Sequence, residues 1–291
     1  MKTGLFLTPG AARTAYYVGA LDVLIRESGI HFDVIAGSSV GALNGAFAAM
    51  DETRQLIEIW KNWTTEDVMV NDYKALLQGG FFWAKNFASN EPEYETGVRD
   101  YIFEEKIQDG VTFRFNIADI STGKNRILTY PGENVPIQTG IMAAVSVPVL
   151  FEPVEIDGHQ YVDGLAIEGC PLESLILQTG VDRVFVLGVS PRTPLENPTK
   201  NAYTAMLSAS EWNQYTEPFY AIQQAEEENA IIRAWQKERE SLGRLIDSSN
   251  LSAAEKTELT ELLQTAYTDG NLTENRLAEF IHSIIQKHTN K

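Results

Sequence analysis

Two short segments of the chain carry residue types that could do covalent chemistry together. The first is Gly37-Ser38-Ser39-Val40-Gly41, a G-x-S-x-G pattern with Ser39 at its centre. A serine hydroxyl is a weak nucleophile until a base and a fixed geometry activate it. Glycines two positions either side allow a sharp strand-to-helix turn, because larger side chains there would collide with the crossing backbone. Such a turn lifts the hydroxyl clear of the sheet. It also sets Ser39 at a helix N-terminus, where amides and the helix dipole favour developing negative charge. Ser38 lacks glycines at the required offsets. The second segment is Asp163-Gly164, which closes the run Gln160-Tyr161-Val162. A carboxylate at a strand end can turn toward a site at the sheet edge.

The base that would serve Ser39 has two candidates. A serine triad needs a histidine, and the chain offers His31, His159, His282 and His288. His31 is eight residues before Ser39, about 25 Å along an extended strand. His159 falls in a hairpin turn, and His282 and His288 fall in the last helical segment. A histidine-triad esterase would pair Ser39 with His282. Against it, the α/β-hydrolase pattern sets several strands before the nucleophile, whereas Ser39 stands near the start of this chain. Asp163 is the alternative, acting directly as general base. Asp-Gly is also an ordinary turn signal, so the residues alone leave both readings of Asp163 open.

The elements that must position these groups can be read from periodicity. Thr3 to Leu7 is an apolar run of strand length. Ala15 to Glu27 sets Tyr17, Ala20, Leu21, Leu24 and Ile25 at helical spacing, with Gly29 as the stop. Phe32 to Ala36 is a second strand running into the glycine-flanked serine, and Val40 to Met50 is a small-residue helix running out of it. Strand, helix, strand, helix argues for a mostly parallel sheet covered by helices. Residues 51–110 break this rhythm and are rich in aromatics: Trp60, Trp63, Phe81, Phe82, Trp83, Phe87 and Tyr94. They read as a helical insertion, either a satellite core or a lid over an acyl pocket. Strands return at Thr112 to Ile117, Arg126 to Tyr130 and Arg183 to Val189. Asp157-Gly158 makes a hairpin turn between Val154–Ile156 and Gln160–Val162, and Ile141 to Val145 is a short helix stopped at Val147-Pro148. Pro191, Pro194 and Pro198 mark a linker. Beyond it, Ser252 and Glu255 form a capping box ahead of an apolar stripe of Leu259, Leu262, Leu263, Ala266 and Tyr267, which Asp269-Gly270 ends. Leu277, Phe280, Ile281, Ile284 and Ile285 make a second stripe. The expected organisation is a catalytic domain over 1–190 and a helical extension over 191–291.

Composition narrows the partners. With 40 Asp+Glu against 23 Lys+Arg, the formal charge of the 291 residues is −17. That field repels nucleic acid and opposes docking on anionic membranes, but not neutral lipids or apolar esters. The single cysteine, Cys170, reads as a small buried hydrophobe. The apolar start breaks at Thr8-Pro9-Gly10, so it reads as a strand and not a signal peptide. No run approaches the roughly 20 apolar residues of a membrane span, and a cytoplasmic location is the default. No carboxylates cluster at alternate positions as in a calcium loop, so neither metal nor cofactor is called for.

On these segments, from Thr3 to about Val189, the chain resembles the patatin-like phospholipases. Gly37–Gly41 is similar to that family's nucleophile turn. Phe151-Glu152-Pro153-Val154-Glu155-Ile156-Asp157-Gly158 through Tyr161-Val162-Asp163-Gly164 is similar to the approach to its catalytic aspartate, and Ala144 to Pro148 to the helix-to-proline segment before it. The resemblance implies a three-layer α/β/α fold, a Ser39–Asp163 dyad and an acyl-serine intermediate. It also implies hydrolysis of a lipid or acyl ester, as a phospholipase A, lysophospholipase or esterase, with transient membrane-surface contact. The family's oxyanion loop corresponds to Gly10, Ala11, Ala12 and Arg13, whose amides would cradle the oxyanion while Arg13 braces the loop. Several residues depart from the pattern. Pro9 has no N–H, Ala11 and Thr14 stand where glycines are usual and so limit positive φ, Leu165 replaces a small residue, and Glu168-Gly169-Cys170-Pro171 stands where an asparagine often precedes the proline. The glycine-poor loop and the acidic helical tail leave a non-catalytic lipid- or partner-binding module on the same fold as a rival.

Overall fold

The computed structural model describes residues 1–62, 64, 69–71, 83–85, 101–148, 150–188, 233, 237, 240–249 and 251–269, with backbone alone at 69–71, 83–85 and 262–269. By its internal contacts the chain divides into two compact units, Met1–Ala221 and Ile222–Lys291.

The first unit is built on a sheet in which β1 (Thr3–Leu7), buried at all five residues, is an interior strand. A strand buried on both faces belongs to the middle of a parallel sheet. β1 pairs in parallel with β2 (Val34–Gly37) on one side and with β9 (Arg183–Leu187) on the other. β2 pairs in parallel with β5 (Thr112–Asp119), Gly37 facing Phe115. Two antiparallel strands also pair with β5: β6 (Lys124–Tyr130) from Phe113 to Asp119, and β8 (His159–Asp163) from Ile117 to Asp119. A strand has two edges, and β6 occupies one of them throughout. β2 and β8 must therefore share the other, β2 along its first half and β8 along its second. β8 is the return arm of a hairpin from β7 (Val154–Ile156). The turn is Asp157-Gly158, with φ 53° and 77°, the mirror-image geometry such two-residue turns need. A separate small hairpin joins β3 (Met69–Asn71) and β4 (Trp83–Lys85).

Alternation along the strands gives the sheet two covered faces. Leu5, Leu7, Ile35, Phe113, Phe115 and Ile117 enter one core with α1 (Ala15–Asp22), α2 (Val40–Ala49), α3 (Thr53–Asn62) and α4 (Ile137–Ala144). On the opposite face a short helix, α5 (Leu172–Leu175), is tied down by Arg114, which donates to the Ser174 and Leu175 carbonyls at 3.0 and 2.8 Å. Gly4 backs onto Ile176 beyond it. The fold is the three-layer α/β/α arrangement with a mostly parallel central sheet.

Several boundaries differ from the sequence reading, among them that β6 starts at Lys124 and not Arg126, and that His159 belongs to β8 and not to the turn before it. β2 begins at Val34, because Asp33 is taken up by the start of β1, its carboxylate accepting from the Thr3 amide at 2.6 Å. β5 runs on to Asp119, held by its antiparallel neighbours. α4 starts at Ile137 and not Ile141. The added turn includes Gly140, where a Cβ would crowd the side chains of Leu128, Phe115 and Tyr130.

In the second unit, a helix over 240–248 (α6) precedes α7 (Ala253–Asp269). The capping box forms as expected: the Glu255 carboxylate accepts from the Ser252 amide at 2.9 Å and its hydroxyl at 2.6 Å. Leu242, Ile246, Leu251 and Leu259 are buried. Among the described residues no helix is long and apolar enough to cross a membrane. The prolines at 191–198, the stripe from Leu277 to Ile285, and Trp63, Phe81, Phe82, Phe87 and Tyr94 lie outside the described residues, as do the side chains of Trp83, Leu262, Leu263, Ala266 and Tyr267.

Candidate active site

The chain leaves β2 at Gly37 and enters α2 at Val40, and the two residues between make the turn. Ser39 takes φ 55° and ψ −132°, a region that side chains enter only under tertiary constraint. The flanking glycines are dictated by packing. A Cβ on Gly37 would fall on the Gly41 carbonyl and within 2.7 Å of the Ala42 nitrogen. One on Gly41 would fall on the Leu7 carbonyl and within 2.8 Å of that of Thr8. The end of β1 thus crosses directly over the first turn of α2, and the Ser38 amide donates to the Leu7 carbonyl at 3.2 Å. Ser39 is buried, 4% exposed.

Asp163 closes β8 and is completely buried. Its amide donates to the Ser146 carbonyl at 2.9 Å, which docks the strand end on the segment after α4. Its Oδ1 accepts from the Leu165 amide at 3.0 Å, whereas Oδ2 is buried without a hydrogen-bond partner. Burial pushes the Asp163 carboxyl up to about 7, against the lowering effects of the Ser39 hydroxyl and the Leu165 amide. Ser39 is thus close enough to act on the carboxyl.

Strand register explains why positions 39 and 163 meet. Gly37 faces Phe115 and Asp163 faces Ile117 on the same edge of β5. Two residues of strand separate the ends of β2 and β8, about 7 Å. One runs parallel and the other antiparallel to β5, so their ends face each other. Asn116 lies between them, fully buried. Its Oδ1 accepts from the Ser38 hydroxyl at 2.7 Å. The sequence reading missed Asn116; the available signal was a polar residue inside the run Phe113-Arg114-Phe115-Asn116-Ile117.

The loop after β1 carries the residues matched to the oxyanion cradle. Gly10 is extended, and Ala11–Thr14 forms a 3₁₀ turn. The expectation that alanine at 11 would limit positive φ is overturned: Ala11 takes φ 48°. Hydrogen bonds hold it there. The Thr14 hydroxyl donates to the Ala11 carbonyl at 2.8 Å and the Arg13 amide to Gly10 at 3.1 Å. Asn44 on α2 donates to the Thr14 hydroxyl at 3.1 Å, and the Trp60 indole on α3 donates to Asn44 at 3.0 Å. Tyr17 donates to the Thr8 carbonyl at 2.9 Å. The amides of Gly10, Ala11 and Ala12 donate to no other described residue. Arg13 is exposed.

Neither described histidine hydrogen-bonds Ser39. His31 is exposed before β2. His159 sits at the opposite end of β8 from Asp163, its Nδ1 2.9 Å from Asp119 Oδ2. His282 and His288 lie outside the described residues. Cys170 is buried.

Residues 5–176 match the family model described as patatin-like phospholipase. The chain is 25% identical over 219 residues to the Neuropathy target esterase sws of Drosophila melanogaster, a match covering 74% of this chain and 15% of that protein. It is 24% identical over 197 residues to the Lysophospholipase NTE1 of Saccharomyces cerevisiae, covering 66% and 11%. Against an uncharacterized NTE family protein of Mycobacterium tuberculosis it is 23% identical over 202 residues, covering 69% and 52%. The chain thus spans between about a tenth and a half of these relatives. Among solved structures, VipD from Legionella pneumophila aligns over 56% of this chain and 46% of its own, at 13% identity and a TM-score of 0.39. ExoU of Pseudomonas aeruginosa, in complex with SpcU, aligns over 95% and 70%, at 14% identity and a TM-score of 0.34.

Proposed function

The chain belongs to the patatin-like phospholipase family, and from that premise we propose that it is a serine lipid acyl hydrolase working through a Ser39–Asp163 dyad. Asp163 accepts the Ser39 proton as the oxygen attacks an ester carbonyl. The negative charge that develops on the carbonyl oxygen is met by amides of Gly10, Ala11 and Ala12 and by the N-terminus of α2. The alcohol leaves with the proton from Asp163, and an acyl-Ser39 ester remains. Water, deprotonated by Asp163, then releases the fatty acid and regenerates the serine. The observation that carries this reading is the constrained Ser39 beside a buried carboxylate whose Oδ2 has no partner. With a pKa near 7, that carboxylate is a stronger base than an exposed aspartate and is still ionised in a large share of molecules at neutral pH. Relatives named lysophospholipases make a monoacyl phospholipid the first substrate to try. We place the reaction in the cytoplasm, in transient contact with a lipid surface.

The test is covalent capture by a fluorophosphonate together with hydrolysis of a lysophospholipid and a p-nitrophenyl acyl ester. Wild type should label and turn over, Ser39→Ala should do neither, and Asp163→Asn should lose turnover. A folded wild type that neither labels nor hydrolyses would leave the binding-module reading in its place. Activity retained in Asp163→Asn but lost in His282→Ala would transfer the base to the histidine.

A further inference from the structure

The dyad is made of two strand ends that meet on one edge of β5, and something must fix the gap between them. Asn116 fills that gap with a fully buried amide. On one side its Oδ1 takes the hydroxyl of Ser38, the residue before the nucleophile, at 2.7 Å. On the other side it abuts Gly164, the residue after the aspartate, where a Cβ would overlap the Asn116 amide nitrogen. That nitrogen is within 3.4 Å of the Glu168 carbonyl and 3.5 Å of Asn125 Oδ1. Asn125 in turn donates to the Glu168 carboxylate at 2.6 Å, and the Glu168 amide donates back to the Gly164 carbonyl at 3.0 Å. Glu168 opens the Glu168-Gly169-Cys170-Pro171 stretch. Here its carboxylate closes a loop of polar contacts that starts beside Ser39 and ends beside Asp163.

We propose that Asn116 is a positioning residue, the centre of a Ser38–Asn116–Asn125–Glu168 clasp that sets the separation of Ser39 and Asp163. The proposal rests on the dyad reading. None of the four touches the reacting atoms in this role; they act by holding the two segments that do. A buried amide bonded on several sides has one low-energy orientation, which a leucine of similar size lacks. Small misplacements of reacting groups lower rate steeply, by up to about 100-fold for 1 Å.

Two variants test it, Asn116→Leu and Ser38→Ala, assayed for ester hydrolysis from pH 5 to 9 with thermal melting alongside. Asn116→Leu keeps the volume against Gly164 and removes every polar contact; Ser38→Ala removes one bond and leaves the packing. The expected result is a kcat lower by about 10- to 100-fold in Asn116→Leu and by several-fold in Ser38→Ala, with KM nearly unchanged. The acid limb of the pH profile should move to higher pH in both, because a serine held farther away no longer lowers the Asp163 pKa. A purely structural residue would lower the melting temperature and leave the limb where it was. If Asn116→Leu does not fold, Ser38→Ala decides by the same two readouts. Wild-type kcat and an unmoved limb in folded variants would overturn the clasp while leaving the dyad intact. A wild type without turnover or Ser39 labelling would overturn the dyad and the clasp with it.

Discussion

At Ser39 the backbone sits at φ 55° and ψ −132°, a conformation that costs a side-chain-bearing residue about 1–3 kcal/mol. Glycine pays little of that strain, so Ser39→Gly should be more stable than Ser39→Ala by about 1–2 kcal/mol in a denaturant melt, though both are inactive. Coincident melts would show that the turn is unstrained. Asp163 stores a second tension, and its sign can be worked through. Its pKa is raised from 3.8 to about 7 in the folded chain, so the folded state holds the proton more tightly than the unfolded one. The resulting stability is complete below about pH 4 and is lost as pH rises through about 7, to a limit of roughly 4 kcal/mol. Asp163→Asn keeps the acceptor for Leu165 and removes the charge. At pH 8 it should melt later than wild type, by about 2–4 kcal/mol, with the difference vanishing near pH 4, while hydrolysis falls by at least about 1,000-fold. Equal stabilities at pH 8 would mean that the carboxylate is better solvated than its burial implies. Catalysis runs with the opposite slope to stability: kcat/KM should rise with pH through a midpoint near 7 as Asp163 ionises.

Among the elements, the 3₁₀ turn at Ala11–Thr14 depends on helices that follow it in the chain. The bonds from Trp60 through Asn44 and Thr14 to the Ala11 carbonyl strap the turn to α2 and α3. Asn44→Leu would leave the half-buried Trp60 indole N–H without its acceptor and take a donor from the buried Thr14 hydroxyl. It should lower stability by about 2–3 kcal/mol and kcat by about 10-fold or more, with KM little changed, as the oxyanion amides lose their positions. Unchanged kcat in a folded variant would remove this turn from the chemistry. Much of the framework was legible because it rests on local rules. β1 was bounded to the residue by its apolar run, the β7–β8 turn was announced by Asp157-Gly158, and the helix cap by Ser252 and Glu255. The glycines at 37 and 41 pointed to the tight turn at Ser39 for a steric reason that the coordinates bear out. Tertiary partners were not legible. The helix read as starting at Ile141 begins at Ile137, with Gly140 packed against Phe115 and Tyr130, and Ala11 reads as hostile to positive φ until Thr14 holds it there. Nothing in the spacing of Ser38, Asn116 and Glu168 announces that three separate segments meet at one amide.

The molecule as a whole carries a formal charge of −17, which bears on how it would approach lipid. Repulsion from anionic headgroups acts over roughly 10 Å at 0.1 M salt and farther when salt is low. In low salt the protein should sediment with zwitterionic vesicles more readily than with anionic ones, and the difference should shrink as salt is added. Tighter binding to anionic vesicles at low salt would reveal a local basic surface that the total conceals. The end-to-end meeting of β2 and β8 on β5 has a kinetic consequence. A one-residue slip of β8 would turn its carboxylate to the other side of the sheet, so nucleophilicity can arise only in molecules that have completed the correct pairing. Covalent capture of Ser39 then serves as a clock for assembly: during refolding it should lag behind the return of helical circular dichroism, and the delay measures how long the last antiparallel arm takes to find its place.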